Sequence, residues 1–498
     1  MLAKKIYNFQ FVTTYLFVCS IKFFPTCCFA VELSLNDAIN KYVYNTTYVR
    51  SKCLALQNRL LEYENFKKSF LPSLSLNLTP VSFNHSMRLL QNYNTGEYSN
   101  VEEFSNTSFG GITVSQKIAA TGGIFTVGSN LSYLHEFTEN NNSFSTSPVY
   151  ISYSQQLFGG GKNMSFERAI SKLRNDVALK DFCTSVSTEQ QKILSLYLNA
   201  YSNKMDIEFY SKTTCMGDSL LMHARIRKDA GKITEYEYNL VEMQQLDNKI
   251  ELEESQSAYA TSIRLLEKEL CVHDIELKTL SPANFPAYIE ESDVIKLVNQ
   301  NNPTYQNLEL ERLDAEYRLH QKKTDNRFNA NISLSYGLNQ YAKTFKDAYR
   351  HPDQRQSVSV TLSIPVFQWG INRNKLKIAR NEYEMTLQDQ EYAISDFKEE
   401  IHDYVTDYNL SKGISDAAEK KYNLAGQQYS FASLRFNMGK IAAIELSNAH
   451  KDYLQAKQYF VLVLRNLFEN YYKIRHLSLY DFAEGKDLID LVQTSIRQ

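Results

Sequence analysis

The chain has 498 residues, 54 Lys and Arg against 56 Asp and Glu, 43% hydrophobic side chains, and only 9 Pro and 17 Gly. Single cores close at roughly 100–200 residues, so one compact domain is excluded. Near-neutral charge excludes a nucleic-acid partner held by phosphate contacts, and the apolar content excludes a disordered chain. Scarce Pro and Gly favour long elements. Past residue 30 no apolar run reaches the about 18 residues of a membrane-spanning helix.

Residues 1–30 read as a secretory signal peptide. Lys4 and Lys5 precede an apolar stretch through Phe11, Leu16 and Phe24, and Cys28-Phe29-Ala30 suits cleavage after Ala30. Cys27 and Cys28 leave a lipid anchor as the other possibility, although Phe24-Pro25-Thr26 fits a lipidation box poorly. Removing Lys4, Lys5 and Lys22, with no acids, leaves 51 basic against 56 acidic side chains, a net of -5. Cys53, Cys183, Cys215 and Cys271 remain, and their spacing matches no metal motif.

The mature chain is written twice. Leu157-Phe158-Gly159-Gly160-Gly161-Lys162-Asn163 matches Val366-Phe367-Gln368-Trp369-Gly370-Ile371-Asn372 at an offset of 209. Ala230-Gly231-Lys232-Ile233 matches Met438-Gly439-Lys440-Ile441 at 208, and so do Arg227 with Arg435 and Glu237 with Glu445. Asn45-Thr46-Thr47-Tyr48 echoes Asn302-Pro303-Thr304-Tyr305. The first repeat covers 31–290 and the second 291–498. Each reads as a helical stretch (34–69, 291–326), alternating strands, a very long helix, a Gly-Lys-Ile turn and a returning helix. A linker with Pro282 and Pro286 closes the first repeat, and a C-terminal segment the second.

The strands alternate with period two. Val358, Val360, Leu362, Ile364 and Val366 oppose Ser357, Ser359, Thr361 and Ser363, and 330–338 does the same. In the first repeat the same holds for Leu74, Leu76, Leu78 and for Val149, Ile151, Tyr153. Such lengths approach the about 9–11 residues of a tilted membrane strand, and the polar faces carry Ser, Thr and Asn. A soluble sandwich with one buried face gives the same alternation. Further runs, Ile112 to Val114 and Phe125 to Tyr133, suggest an added hairpin that leaves the first repeat's strand number open. Glu139-Asn140-Asn141-Asn142-Ser143 reads as an exposed loop.

Residues 373–436 contain no Pro and would span roughly 95 Å as one helix. Tyr383, Leu387, Ile394, Phe397, Ile401, Tyr404 and Tyr408 trace a coiled-coil seam, repeated on the returning helix by Leu446, Ala449, Tyr453, Ala456, Phe460, Val463 and Leu467. The glycines of both Gly-Lys-Ile turns suit helix termination.

With Phe70-Leu71-Pro72-Ser73-Leu74-Ser75-Leu76, Asn302-Pro303, the 362–370 run and Met438-Gly439-Lys440-Ile441 placed in this order, the mature chain resembles the TolC-like outer-membrane efflux protein family. The resemblance implies a mainly α fold with a membrane β-barrel part: long helical hairpins forming a periplasmic tube, and four strands per subunit in a trimeric 12-strand barrel. It implies outer-membrane lipid around the barrel, a periplasmic membrane-fusion adaptor at the tube's tip, an inner-membrane pump of RND, ABC or MFS type, and no cofactor. The function expected is the exit duct of a tripartite efflux system. The pore of a type I protein secretion system is the alternative, and a periplasmic coiled-coil scaffold without a pore is the alternative of another class.

The resemblance also implies site residues. The closing tip falls at Glu445 and Asn448, with Ile441 where a basic latch stands in the family and Phe436 before the turn. A ring of Glu445 carboxylates would attract cations; otherwise Glu445 is a solvated helix residue. Adaptor docking falls on Arg227, Gly231, Lys232, Ile233, Arg435, Gly439 and Lys440, where the glycines serve either a partner backbone or only helix closure. Phe367 and Trp369 fall where aromatics favour a membrane boundary or pack the barrel base. No catalytic or metal constellation is legible: the nine His are scattered, and Gly159-Gly160-Gly161-Lys162 lacks phosphate-loop spacing, so no enzyme is expected.

Overall fold

A computed structural model describes residues 31–497 apart from 92–94, 139, 281, 283 and 365. The expected signal peptide, with Cys27 and Cys28, lies outside the described residues. The chain divides into two compact units, each fed by both repeats. One unit comprises 31–56, 178–305 and 393–497, and the other 57–177 and 306–392.

The first unit is helical. It holds long stretches of α3 (Gly160–Asp229) and α7 (Ile371–Asn437), all of α4 (Glu235–Leu270), and α8 (Ala443–Ser478). α7 extends three residues beyond its expected span and runs unbroken through Gly413 and Gly426. At Gly426 a Cβ would sit 3.0 Å from the Tyr453 ring, so the glycine admits a close crossing of α8. The expected seam is the packed one: Phe397, Ile401 and Tyr408 on α7, and Leu446, Tyr453, Ala456, Val463 and Leu467 on α8, are buried. Tyr422 stacks on Tyr453 and Phe460 at 5.5 and 5.7 Å.

Both expected leading helices are broken. The first becomes α1 (Leu35–Asn40), a 3-10 turn (Tyr42–Asn45) and α2 (Thr47–Lys68). The second becomes α5 (Glu291–Asn301) and α6 (Thr304–Asp325). The breaks fall on the repeated Asn-x-Thr-Tyr. Thr46 Oγ1 accepts from the Val49 amide, and Asn302 Oδ1 accepts from the Thr304 amide at 2.9 Å. These polar side chains start new helices, and Pro303 cannot supply an amide to continue the old one. Near the breaks, β1 (Val31–Leu33) pairs in parallel with β6 (Ile275–Leu277). The buried Arg475 guanidinium forms an ion pair with Asp481 at 2.9 Å and donates to Asn40 Oδ1 at 2.9 Å.

The second unit contains an antiparallel sheet in the order β2 (Ser73–Gln91), β3 (Tyr98–Lys117), β4 (Ile124–Glu136), β5 (Asn141–Gln156), β7 (Asn329–Ala342), β8 (Asp353–Ser363). Where the resemblance implies four strands, the described residues give this sheet six, because β3 and β4 form a full hairpin between β2 and β5. The expected Asn-rich loop is partly strand: Asn140 turns with φ 52°, and Asn141 to Ser143 open β5 against β4. β8 begins earlier than alternation indicated. Gln354, Arg355 and Gln356 are polar in succession, so no alternation marks them, but they pair with Leu338, Gly337 and Tyr336 of β7.

Candidate functional site

The two Gly-Lys-Ile turns share one geometry. Gly231 and Gly439 take φ 67° and 75°. The Lys232 amide donates to the Arg227 carbonyl and the Gly231 amide to that of Lys228, at 2.8 and 2.9 Å. The Lys440 amide donates to Arg435 and the Gly439 amide to Phe436, at 2.9 and 2.8 Å. This is a Schellman closure, which needs the left-handed residue that glycine supplies.

The returning helices start differently. Thr234 caps α4: its hydroxyl accepts from the Glu237 amide, and the Glu237 carboxylate accepts from the Thr234 amide at 2.9 Å. The equivalent cap of α8 is Ala442, which offers no side-chain oxygen. Glu445, the counterpart of Glu237, is therefore exposed, with no side-chain hydrogen bond or ion pair among the described residues. Asn448 is exposed as well.

The remaining expected tip residues separate by burial. Phe436 and Ile441 lie in the core shared by α3, α4, α7 and α8, with Ile233 beside them. Gly231, Lys232, Arg435, Gly439 and Lys440 are exposed. Arg227 is half-buried and joins the turns, since its Nη1 donates to the Phe436 carbonyl at 2.9 Å while its guanidinium lies 5.0 Å from the Phe436 ring centroid. The cation thus meets the carbonyl end of α7, where a positive charge is favoured.

The sheet presents two faces in register. Leu74, Val114, Val127, Ile151 and Tyr336 succeed one another across five strands. The next row is Ser73, Ser115, Thr126, Ser152, Ser335 and Ser357, six hydroxyl side chains across all six strands. Leu74, Ile151, Tyr336, Val358 and Leu362 are exposed, so the chain leaves its own apolar face uncovered. Trp369 is 84% exposed at φ 50°, a strained conformation for such a side chain, with the Phe367 ring 4.7 Å away.

Sequence reading missed the exposed apolar rows of the helices. Ile371, Ile378, Met385 and Tyr392 recur every seven residues on α7 and stand in solvent. Leu424, Phe431 and Met438 do the same further along. Their heptad spacing was the available signal, but it runs beside the buried seam and is masked by it. Among the described residues no helix is long and apolar enough to cross a membrane, and no group of three His, Cys, Asp or Glu is placed to hold a metal.

A two-faced antiparallel sheet and paired helices of this length define the fold of outer-membrane channels. The chain superposes with a TM-score of 0.65 on a membrane protein from Pseudomonas aeruginosa, at 13% identity over 92% of this chain and 93% of that one. It matches the CmeC outer membrane channel of Campylobacter jejuni at 0.65, with 12% identity over 93% and 89%. The outer membrane protein VceC of Vibrio cholerae gives 0.60, with 11% identity over 89% and 95%. Residues 294–478, within the second repeat, match the model of the outer membrane efflux protein family. No curated protein matches by sequence.

Proposed function

We propose that this chain is an outer membrane efflux protein and forms the exit duct of a tripartite system, a homotrimer that takes substrate from an inner-membrane pump through a periplasmic adaptor and releases it outside. The observation that carries this is the in-register division of the sheet into an uncovered apolar face and a hydroxyl face. Lipid hydrocarbon satisfies the first and water in a lumen the second. The exposed heptad rows of α7 support self-association, because they are seams without a partner in their own chain.

The organisation is a leader, 1–30, and two repeats, 31–290 and 291–498, each giving strands to the wall and a helical hairpin to the tube. The hairpin tips are the docking surface. Gly231 and Gly439 allow close approach of a partner backbone, while Lys232, Arg435 and Lys440 offer donors to its acids. Glu445, free of any cap, lines the closed aperture with Asn448. Phe436 and Ile441 pack beneath that aperture and Arg227 ties the two tips, which explains how a tip without a basic residue at 441 stays ordered. Trp369 and Phe367 sit at the membrane boundary.

The test is fractionation and reconstitution. The full chain is expected in the outer membrane as a trimer, and purified protein is expected to pass current in a planar bilayer. Recovery as a soluble monomer that conducts nothing would overturn the assignment. Crosslinking from residues 232 and 440 in cells is expected to capture a periplasmic adaptor.

A further inference from the structure

The inserted hairpin has a place in the wall. Family resemblance implies four strands from each copy, which makes β3 and β4 a departure. A hairpin lying outside the membrane has no reason to share the wall's patterning. Yet Val114 and Val127 stand between Leu74 and Ile151 in one continuous apolar row. Ser115 and Thr126 stand between Ser73 and Ser152 in the hydroxyl row. The hydroxyls also bond across strands: Ser75 Oγ lies 2.6 Å from Thr113 Oγ1, and Ser115 Oγ 3.2 Å from Thr126 Oγ1. A one-residue slip would have reversed both faces, so the phase is specified. Close backbone approach reinforces it, since at Gly128 a Cβ would sit 2.6 Å from the Tyr150 ring.

The two edges of the sheet are open. Among the described residues, β2 and β8 each pair with one neighbour only. β8 is exposed along its length and β2 from Ser73 to Phe83: Val358, Val360 and Leu362 line the apolar face of the first, and Leu74, Leu76 and Leu78 that of the second. Open edges of this kind demand pairing, and only closure removes them. The complementary occupant for β8 is β2 of a second copy, whose two faces match its own in chemistry.

We propose that β3 and β4 are wall strands: each copy lays six strands into the membrane, and β8 of one copy pairs with β2 of the next, so that a trimer closes an eighteen-strand barrel. This rests on the duct reading. At a strand spacing of about 4.8 Å and a tilt near 40°, the backbone radius becomes about 18 Å, against about 12 Å for twelve strands. The lumen cross-section roughly doubles, which suits bulkier cargo than a twelve-strand exit passes.

The experiment uses the full mature chain with Cys53, Cys183, Cys215 and Cys271 replaced. Single cysteines are placed at Ile112 and Thr113 on β3, at Val127 and Thr126 on β4, and at Leu334 and Ser335 on β7. Each is spin-labelled in phosphatidylcholine vesicles and read by its accessibility to oxygen against a water-soluble nickel chelate. Lipid exposure at 112, 127 and 334, with water exposure at 113, 126 and 335, is the expected result. If β7 alternates while β3 and β4 report water throughout, the six-strand wall is overturned and the duct stands. If β7 does not alternate, the duct falls and the inference with it. Should a label site fail to fold, projection averages of the unmodified complex decide: a wall about 36 Å across supports the proposal, and one about 24 Å across overturns it.

Discussion

Arg227 and Phe436, which occupy non-equivalent positions in the two repeats, bind the two helical hairpins of one chain together. The guanidinium donates to the carbonyl at 2.9 Å and covers the ring at 5.0 Å. A hydrogen bond from a charged donor contributes about 1.5–3 kcal/mol, and a partly desolvated cation–π contact adds about 0.5–1 kcal/mol. Arg227→Ala is therefore expected to loosen both turns. Hydrogen exchange in detergent should rise roughly tenfold or more across 226–236 and 434–444, while the sheet is unchanged. Arg227→Lys should recover part of the protection, since one donor remains. Unaltered exchange in Arg227→Ala would remove the tie.

Arg435 and Lys440 have a different standing. Both side chains are exposed, and their backbones alone serve the Schellman closure. Charge reversal at both positions is expected to weaken adaptor docking and reduce pump-dependent export several-fold. The trimer should form in normal amount, because neither side chain packs in the core. Export at the level of the parent chain would take docking away from these residues.

The buried seam and the alternating strands were legible because each is a periodic pattern that one line of sequence displays. Tyr453, Ala456 and Val463 could be placed at a seam from spacing alone. The helix breaks were half legible: Pro303 signals one, but Thr46 acts through a hydroxyl that looks like any helical threonine. β8 was misjudged at its start because Gln354 to Gln356 are strand by pairing rather than by alternation. At the tip, the Thr234–Glu237 box was written as Thr-x-x-Glu and its absence at Ala442 was equally written. The Arg227–Phe436 contact was not, since it joins residues 209 apart that no local pattern couples.

The missing cap at Ala442 has a measurable consequence. Thr234→Ala removes the hydroxyl that accepts from Glu237 and should cost about 1 kcal/mol in the stability of the α4 start. Ala442→Ser supplies the missing oxygen at α8 and should stabilise that start by a similar amount. With that turn fixed, the Glu445 carboxylate is expected to fold back onto the residue-442 amide, as Glu237 does onto that of Thr234. If the free Glu445 carboxylate selects cations in the trimer, Ala442→Ser should lower the cation preference of the reconstituted channel. Selectivity unchanged by both Ala442→Ser and Glu445→Gln would return Glu445 to the solvated surface.

Two buried groups give stability opposite slopes with pH. Burial, assisted by Glu269, pushes the Glu189 carboxyl up to about 7, although Lys192 opposes the shift. The fold therefore holds a proton that the unfolded chain releases near 4.5. Its stabilising contribution is complete below about 4.5 and is lost as pH rises toward 7. His450, with Nε2 unpartnered between Phe209 and Tyr429, is pushed down to about 4 by burial. Its contribution is complete above about 6.5 and is lost as pH falls toward 4. Buried His476 follows the same direction. In the parent chain these slopes partly cancel between pH 4.5 and 6.5. Glu189→Gln should uncover the histidine slope, so that unfolding free energies from denaturant titrations in detergent fall steadily with acid, by about 2 kcal/mol per histidine across the window. His450→Leu should raise midpoints at acid pH relative to the parent, with His476 leaving a residual slope. Parallel pH profiles for the parent chain and both variants would show that neither group titrates differently in the fold.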